Sequence, residues 1–259
     1  MYASRTHRYE GLAPVSVGAD ILTAVPAAYA LRMMCKRLVV PDQEEVEQEI
    51  PVTHRWWRFS ARFNVAISQS VPAARLHDRE SEGVMMRWGT PPGVVTDNVA
   101  RIGTAVIPID EVLTSVDFRK AWLYGQRCVV MVAGFYVWQL TPAGFRQPFY
   151  VRLVNRPVFG IAALWDRTVN EDDDDVIECC GLVTVPANRL IAEIDGTERQ
   201  MPAILRHEDY DAWLSSTAAQ AKALLQSYPH DRMVTHPVGP YVNHLEYEGP
   251  PLIRAIPLN

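Results

Sequence analysis

Short hydrophobic runs bounded by Gly, Pro and polar residues recur along most of the chain, and this pattern predicts a protein built mainly from β-strands. The longest run, residues 127–138, places six largely apolar residues before Gly134 and an aromatic-rich stretch after it. It predicts a buried strand, a tight backbone feature at Gly134 and a second strand. The other predicted strands are residues 58–66, 71–75, 84–89, 149–154, 158–164, 177–185 and 233–235.

Helical periodicity is confined to short segments between these strands. Residues 116–124 predict a helix that stops at Gly125, and residues 188–194 predict a second one with Asn188 as its cap. Further helices are predicted at residues 39–52, 208–214 and 218–227, whereas residues 93–111 have a loop-like composition and the acidic residues 170–175 predict a hairpin tip. Strands with helices inserted between them indicate the α+β class, around a mainly antiparallel sheet or barrel.

The composition narrows the function without identifying it. The 259 residues carry a net charge of −5, so any site for a polyanion must be a local basic groove. The four cysteines show no CxxC spacing, which favours neither zinc nor a disulfide framework and fits a reducing cytoplasm. No apolar run reaches the length of a membrane span, and no nucleotide-binding glycine motif is present. We therefore expect a cytoplasmic monomer that uses neither a metal nor another cofactor and does not associate with membranes.

Residues 1–34 differ from the rest of the chain. They mix Pro, Ala, Gly and Ser, and Asp20 interrupts their weak apolar run, which excludes a secretory signal. We interpret them as a disordered leader or as a segment that is not translated. Initiation at Met34 would make Cys35 the N-terminal residue once the methionine is removed.

Several motifs, in a single order along the chain, resemble those of one protein family. They are Met34-Cys35-Lys36-Arg37-Leu38; Phe63-Asn64-Val65-Ala66 with Gln69 and Val71-Pro72; Trp88-Gly89; Ala100-Arg101 with Thr104; Arg127-Cys128-Val129 leading to Gly134-Phe135-Tyr136-Val137-Trp138; residues 194–202; and Val242-Asn243. In order and spacing they resemble the Met-Cys-Gly-Arg-Phe, Tyr-Asn-Val-Ala-Pro, Trp-Gly-Leu, Asn-Ala-Arg, Gly-Phe-Tyr-Glu-Trp, Arg-Met-Pro and Val-Asn motifs of the SOS response-associated peptidases, also called abasic site processing proteins. The resemblance implies a single α+β domain over residues 35–259, built on a barrel-like, mainly antiparallel sheet.

The resemblance also implies a chemistry for Cys35. In this family an N-terminal cysteine joins covalently to the ring-opened aldehyde of an abasic site in single-stranded DNA. A terminal cysteine suits this reaction because its α-amine has a reference pKa near neutrality and can form an imine, which the thiolate then closes to a thiazolidine. If translation begins at Met1 and nothing cleaves before Cys35, this residue is instead an ordinary thiol.

Further site residues follow from the resemblance. Arg37 and Arg101 match arginines expected to bind DNA phosphates, and Trp88 matches an aromatic expected beside the DNA. Without the family, the arginines would be interpreted as surface residues and Trp88 as core. Asn98 corresponds to the asparagine of Asn-Ala-Arg if a gap is allowed. Asn64 could bind either the DNA sugar or the backbone of a turn.

The chain departs from the family pattern at two positions that bear on catalysis. Val137 replaces the glutamate expected to move protons during imine formation, which valine cannot do. Asp195 aligns with the family histidine and can still exchange a proton, although its reference pKa is lower. Gln200 replaces an arginine, and Arg127 and Arg199 are candidates to restore that positive charge.

Three hypotheses remain open from the sequence. The first is a sensor of abasic sites that binds single-stranded DNA and crosslinks through Cys35 in the DNA damage response. The second is a relative that keeps the fold and the DNA groove but crosslinks inefficiently, and so acts as a binding module. The third is a thiol peptidase that removes residues 1–34 to expose Cys35.

Overall fold

Two β-sheets, with short helices between and around their strands, make up the part of the chain that the structure describes. This computed structural model describes residues 36–89, 105–114, 116–169, 176–196 and 200–258. The strands are β1 (Arg37–Val40), β2 (His54–Arg55), β3 (Arg62–Ala66), β4 (Ser70–His77), β5 (Glu80–Trp88), β6 (Val106–Pro108), β7 (Arg127–Val132), β8 (Gly134–Leu140), β9 (Arg146–Leu153), β10 (Phe159–Val169), β11 (Val176–Pro186), β12 (Gln200–Pro202) and β13 (Met233–Pro237). The α-helices are α1 (Gln43–Glu49), α2 (Val116–Leu123), α3 (Arg189–Asp195), α4 (Tyr210–Ser215) and α5 (Ala218–Leu224), and single 3₁₀ turns cover His207–Asp209, His230–Arg232, Pro240–Asn243 and Pro250–Ile253.

The first sheet has five strands in the order β13-β9-β8-β1-β3. Its neighbouring strands pair in antiparallel fashion. The short strand β1 lies between β3 and β8, so that Leu38 faces Val65 on one side and Phe135 on the other. The beginning of the family-like region is therefore held in the interior of a sheet.

The second sheet runs in the order β12-β11-β10-β7-β4-β5-β2, and β6 pairs with β11. Strand β5 also pairs with β11 in parallel, through Arg87 opposite Cys179 and Trp88 opposite Cys180. This additional pairing joins β4, β5, β11, β10 and β7 into a closed ring of strands. The α+β class predicted from the sequence is confirmed, and its largest sheet is ring-like.

The inside of the ring is marked by a polar cluster around Arg75 of β4. Its guanidinium pairs with Glu82 of β5 at 3.1 Å and with Glu178 of β11 at 2.8 Å. It also lies 4.4 Å from the centroid of the Trp165 ring on β10. These four side chains come from four strands of the ring, and three of them meet at Arg75, so they share the inner face of the ring.

Two clusters of buried side chains hold the sheets together. The larger one includes the fully buried Trp57, Trp88 and Trp213. The smaller one lies on the first sheet and the C-terminal segment, and its members are Val39, Tyr136, Tyr150, Val238 and Val242.

Gly134 begins β8 at a point where no side chain would fit. A Cβ atom there would lie 2.4 Å from the ring of Tyr150 and 2.5 Å from the carbonyl oxygen of Val151. Tyr150 occupies this space and donates its hydroxyl hydrogen to the Ala133 carbonyl at 3.0 Å. The tight feature predicted at this glycine is a close approach between β8 and β9.

Most elements predicted from the sequence are confirmed. Gly125 ends α2 with a φ of 70°, and Asn188 caps α3 by accepting a hydrogen bond from Ile191 N at 3.0 Å. Two predictions need correction. The helix predicted over residues 39–52 is shorter, because Val39 and Val40 belong to β1, and the loop predicted over residues 93–111 contains β6. The leader, residues 1–34, and the hairpin tip, residues 170–175, lie outside the described residues. Within the described residues, no helix has the length and apolar character needed to cross a membrane.

Candidate functional site

Arg37 is the first residue of β1 and presents a partly buried guanidinium group. Its Nη1 donates to the Lys36 carbonyl at 2.9 Å, whereas its Nε is buried and has no hydrogen-bond partner. Burial lowers the pKa of Arg37, because removal from water disfavours the charged form. A guanidinium with an unused donor is suited to bind an anion such as a phosphate.

Asn64, on the neighbouring strand β3, is buried and bound to the C-terminal segment. Its Nδ2 donates to the carbonyls of His244 at 2.8 Å and Tyr247 at 3.1 Å. Its Oδ1 is also buried and has no partner. Of the two roles that the sequence left open, this geometry favours the contact with backbone.

Trp88 is a core residue in this structure. It lies six residues after Glu82 on β5 and hence on the inner face of the ring, is fully buried, and donates Nε1–H to the Ala105 carbonyl at 2.9 Å. Both faces of the indole are covered by protein. Of the two roles that the sequence analysis gave to Trp88, the structure supports the core residue and not the aromatic that stacks on a DNA base.

Arg87, next to Trp88, is a candidate site residue that the motifs in the sequence did not reveal. It points to the outer face of β5, is partly buried, and has a buried Nε without a hydrogen-bond partner. It lies opposite Ser70 at the start of β4, and Arg37 lies opposite Ala66 at the end of β3. The turn that joins β3 to β4 thus brings the two arginines to the same end of the sheets. Successive side chains of a strand face opposite sides, so an arginine beside a core tryptophan in a predicted strand is the signal that could identify Arg87.

Val137 and Asp195, the two departures from the family pattern, lie on elements that pack together. Helix α3, which ends at Asp195, packs on β8, which carries Val137. Val137 belongs to the larger core cluster, whereas Tyr136 belongs to the smaller one and Trp138 packs against it, so successive side chains of β8 face opposite sides. Asp195 is a carboxylate with only 8% of its surface exposed. The arrangement therefore offers one buried acid where the family pattern has a glutamate and a histidine.

The positive charge lost with Gln200 is not restored by Arg127. The Arg127 side chain is buried, and it donates from Nε to the Trp213 carbonyl at 2.6 Å and from Nη2 to the Ser216 carbonyl. Gln200 itself accepts a hydrogen bond from the hydroxyl of the buried Thr184. Both side chains are engaged in holding α4 and β12 in place.

Cys35, Asn98, Arg101 and Arg199 lie outside the described residues. Among the described candidates, Asp195 and Arg127 are buried charged side chains, and Arg37 is a partly buried one. Within the described ranges, no group of three or more His, Cys, Asp or Glu side chains is arranged to hold a metal ion.

The sequence profile of the SOS response associated peptidase (SRAP) family matches residues 34–245. The chain is 23% identical over 232 residues to the abasic site processing protein HMCES of Gallus gallus, covering 78% of this chain and 68% of the relative. It is 26% identical over 224 residues to HMCES of Mus musculus, covering 72% of this chain and 63% of the relative. The chain thus spans roughly two thirds of the length of these relatives.

Solved structures share the fold. A protein from Bacteroides thetaiotaomicron superimposes with a TM-score of 0.67 at 22% identity, covering 87% of this chain and 98% of that one. A protein from Bordetella bronchiseptica superimposes with a TM-score of 0.66 at 23% identity, covering 80% of this chain and 100% of that one. At these identities the likeness establishes the architecture alone.

Proposed function

Because the chain belongs to the SOS response-associated peptidase family, we propose that it recognises abasic sites in single-stranded DNA and joins to them covalently through an N-terminal Cys35. Two relatives within this similarity are named abasic site processing proteins. The proposal places the protein in the cellular response to DNA damage.

The reaction proceeds in two bond-forming steps. The α-amine of Cys35 attacks the aldehyde carbon of the ring-opened sugar, and loss of water leaves an imine. The thiolate of the same residue then adds to the imine carbon, while the nitrogen takes up a proton, and a thiazolidine ring results. A proton must reach the departing hydroxyl in the first step, which is work for a general acid.

The single observation that best supports DNA binding beside Cys35 is the unused hydrogen-bond donor of Arg37. The residue follows Cys35 by two positions, is fixed by β1 in the interior of the first sheet, and keeps a buried donor without a partner. Desolvation without a compensating hydrogen bond is costly. A phosphate oxygen of the DNA would supply the missing acceptor.

Asp195 is the proposed proton carrier. Valine at position 137 has no exchangeable proton, and Asp195 is a buried carboxylate on the helix that packs against the same strand. In this role Asp195 delivers the proton to the hydroxyl that leaves as water. A single carboxylate replacing a glutamate and a histidine predicts slow crosslinking.

The second candidate function is a DNA-binding module without efficient crosslinking. Val137 favours it, because β8 has a fully packed hydrophobic side chain where the family has an acid. A self-processing peptidase that exposes Cys35 by removing residues 1–34 is the third candidate, and it concerns how the active form arises.

One experiment separates the first two functions. Protein that begins at Met34, with the methionine removed, is incubated with single-stranded DNA containing one abasic site, and covalent adducts are resolved on a denaturing gel. We expect an adduct that forms over hours and is absent with Cys35→Ala. Binding without any adduct, with Cys35 shown by mass spectrometry to be N-terminal, would support the binding module and reject the crosslinking proposal.

A further inference from the structure

Residues 54–58 place an exposed aromatic pair between basic side chains, and we refer to this segment as the basic–aromatic edge. It begins with β2, the last strand in the order of the second sheet. Trp56 is 67% exposed, and its ring stacks on that of His54 with centroids 5.9 Å apart and planes inclined by 14°. In the range 36–89, Trp56 is the one exposed large hydrophobic side chain.

The backbone of this edge is fixed by its buried neighbour. Trp57 is fully buried against Gly83, where a Cβ atom would lie 2.5 Å from the indole. The amides of Trp56 and Trp57 both donate to the Gly83 carbonyl, at 2.8 and 3.1 Å. The backbone that carries the exposed indole is therefore fixed before any ligand arrives, which lowers the entropic cost of binding.

Two arginines flank the aromatic pair, and the carboxylate of Glu47 lies close to both of them. Arg55 has 56% of its side chain exposed and makes only a long contact of 3.7 Å with Glu47. The Glu47 carboxylate already accepts hydrogen bonds from Trp57 at 3.0 Å and from Gln43 at 2.8 Å. Arg58 is exposed, and its Nη1 is bonded to the Trp57 carbonyl rather than to a carboxylate. The edge thus combines a flat aromatic surface with two exposed guanidinium groups.

We propose that the basic–aromatic edge is a second contact surface for single-stranded nucleic acid, in which a base stacks on Trp56 and Arg55 and Arg58 bind the flanking phosphates. Stacking platforms beside basic side chains bind single strands without sequence preference, because every base has an aromatic face. A protein partner would instead be expected to need a broader apolar patch around the tryptophan.

The position of the edge fits a strand that also reaches Arg37, and in this respect the inference rests on the proposed function. Residues 58–62 lead directly from the edge into β3, whose first residue, Arg62, lies opposite Val40 and whose last, Ala66, lies opposite Arg37. The length of β3 separates its two ends by about 13 Å. A DNA strand that reaches both surfaces would meet the edge several nucleotides from the abasic site.

Binding to a 20-nucleotide single strand without an abasic site tests the proposal separately from crosslinking. Fluorescence anisotropy is measured for the unmodified protein, Trp56→Ala, Trp56→Phe, the double variant Arg55→Gln/Arg58→Gln, and Phe145→Ala as the matched control. Phe145 is 72% exposed and lies in the turn between β8 and β9. All variants are at exposed positions, and melting curves verify that they fold.

We expect Trp56→Ala to weaken binding about ten-fold, within the range for one stacked base, and Trp56→Phe to restore most of the loss. The double variant should weaken binding and flatten its salt dependence, whereas Phe145→Ala should bind as the unmodified protein does. Addition of DNA should also quench an exposed tryptophan fluorescence component that is missing in Trp56→Phe.

Unchanged affinity in Trp56→Ala, or no binding of the intact strand by the unmodified protein, would overturn the proposal. Unchanged DNA affinity together with loss of self-association in Trp56→Ala would assign the edge to a protein contact and likewise overturn it. If crosslinking at Cys35 fails while binding still depends on Trp56, the proposed function is wrong and the inference about the edge stands.

Discussion

At the scale of single residues, the proposed crosslinking depends on which side chains of β8 and α3 can carry protons. Strand β8 directs Val137 into the larger core cluster, and α3, which ends at the buried Asp195, packs on the same strand. Under the proposed function, a hydrocarbon at position 137 leaves Asp195 as the proton donor. The rate of imine formation is then the property that substitutions at these two positions should change most.

Val137→Glu should accelerate crosslinking of abasic DNA by the Cys35-terminal protein. A positioned general acid or base typically contributes about 10²–10⁴-fold. The measurement is a time course of adduct formation. Val137→Gln is the matched control, because glutamine has nearly the same shape as glutamate but no ionisable group. A buried polar group also costs stability, so folding is checked by a melting curve. Equal rates in the folded Glu and Gln variants would show that Val137 does not face the chemistry.

Arg37→Ala should weaken binding of single-stranded DNA and reduce the salt dependence of binding. Loss of one phosphate contact lowers the slope of log K against log salt by about 0.7. Arg189→Ala is the control, because Arg189 is exposed and paired with Glu193 on α3. A slope that is unchanged in Arg37→Ala would remove Arg37 from the DNA-binding surface.

At the scale of elements, the strands of the ring are joined by side chains as well as by backbone hydrogen bonds. Glu178 of β11 accepts hydrogen bonds from Arg75 of β4 and from Arg167 of β10, each at 2.8 Å. Burial acts to raise the pKa of Glu178, but these hydrogen bonds and the two positive charges outweigh it, and the pKa is lowered. A lowered pKa means that folding favours the ionised form of this carboxyl.

Glu178→Gln should destabilise the protein at neutral pH by about 1.5–3 kcal/mol, the range for hydrogen bonds to charged groups. Because the folded pKa of Glu178 is depressed, its contribution is complete above the unfolded pKa of about 4.3 and is lost as pH falls through the folded value. The difference between variant and parent in urea unfolding should therefore shrink in acid. Glu193→Gln, in the exposed pair, should show a far smaller effect at every pH.

The sequence predicts most strands and helices of this fold from local signals, but it does not predict which distant strands pair. Gly125 and Asn188 end and begin helices for reasons contained in a few neighbouring residues, and the aromatic run after Gly134 predicted β8. The closure of the ring joins β5 to β11, and no periodicity within either strand encodes that contact. The expected position of Trp88 beside DNA is wrong for the same reason. Only the closed ring shows that the face of β5 with Trp88 is covered.

At the scale of the whole molecule, the net charge of −5 means that the proposed DNA binding must depend on a few arginines at particular places. Arg37, Arg87, Arg55 and Arg58 are the described candidates, and Arg101 remains a prediction. Binding that depends on so few phosphate contacts should weaken markedly between low and physiological salt.

We predict that the active form begins at Cys35, since an internal cysteine lacks the α-amine that the thiazolidine requires. Intact mass spectrometry of protein expressed from the native gene measures the first residue directly. Retention of residues 1–34, combined with failure of protein begun at Met34 to fold or bind DNA, would contradict this prediction.

The parallel pairing of β5 with β11 has a consequence for how the chain reaches its native state. The paired residues are about 90 positions apart in the sequence, with β7 and β10 between them. Such a distant contact forms slowly, because the intervening loop must lose much of its entropy first. During synthesis, β5 emerges from the ribosome long before β11 can pair with it, and the end of β5 at Arg87 and Trp88, beyond its pairing with β2, stays open on that side for that time. The hairpins β4–β5 and β10–β11 are thus expected to form early, and closure late, so that Trp88 enters a dry environment only in the last phase of folding. A nascent chain stalled before β11 would expose an unpaired, hydrophobic strand edge, which is the kind of surface that chaperones bind and that otherwise aggregates.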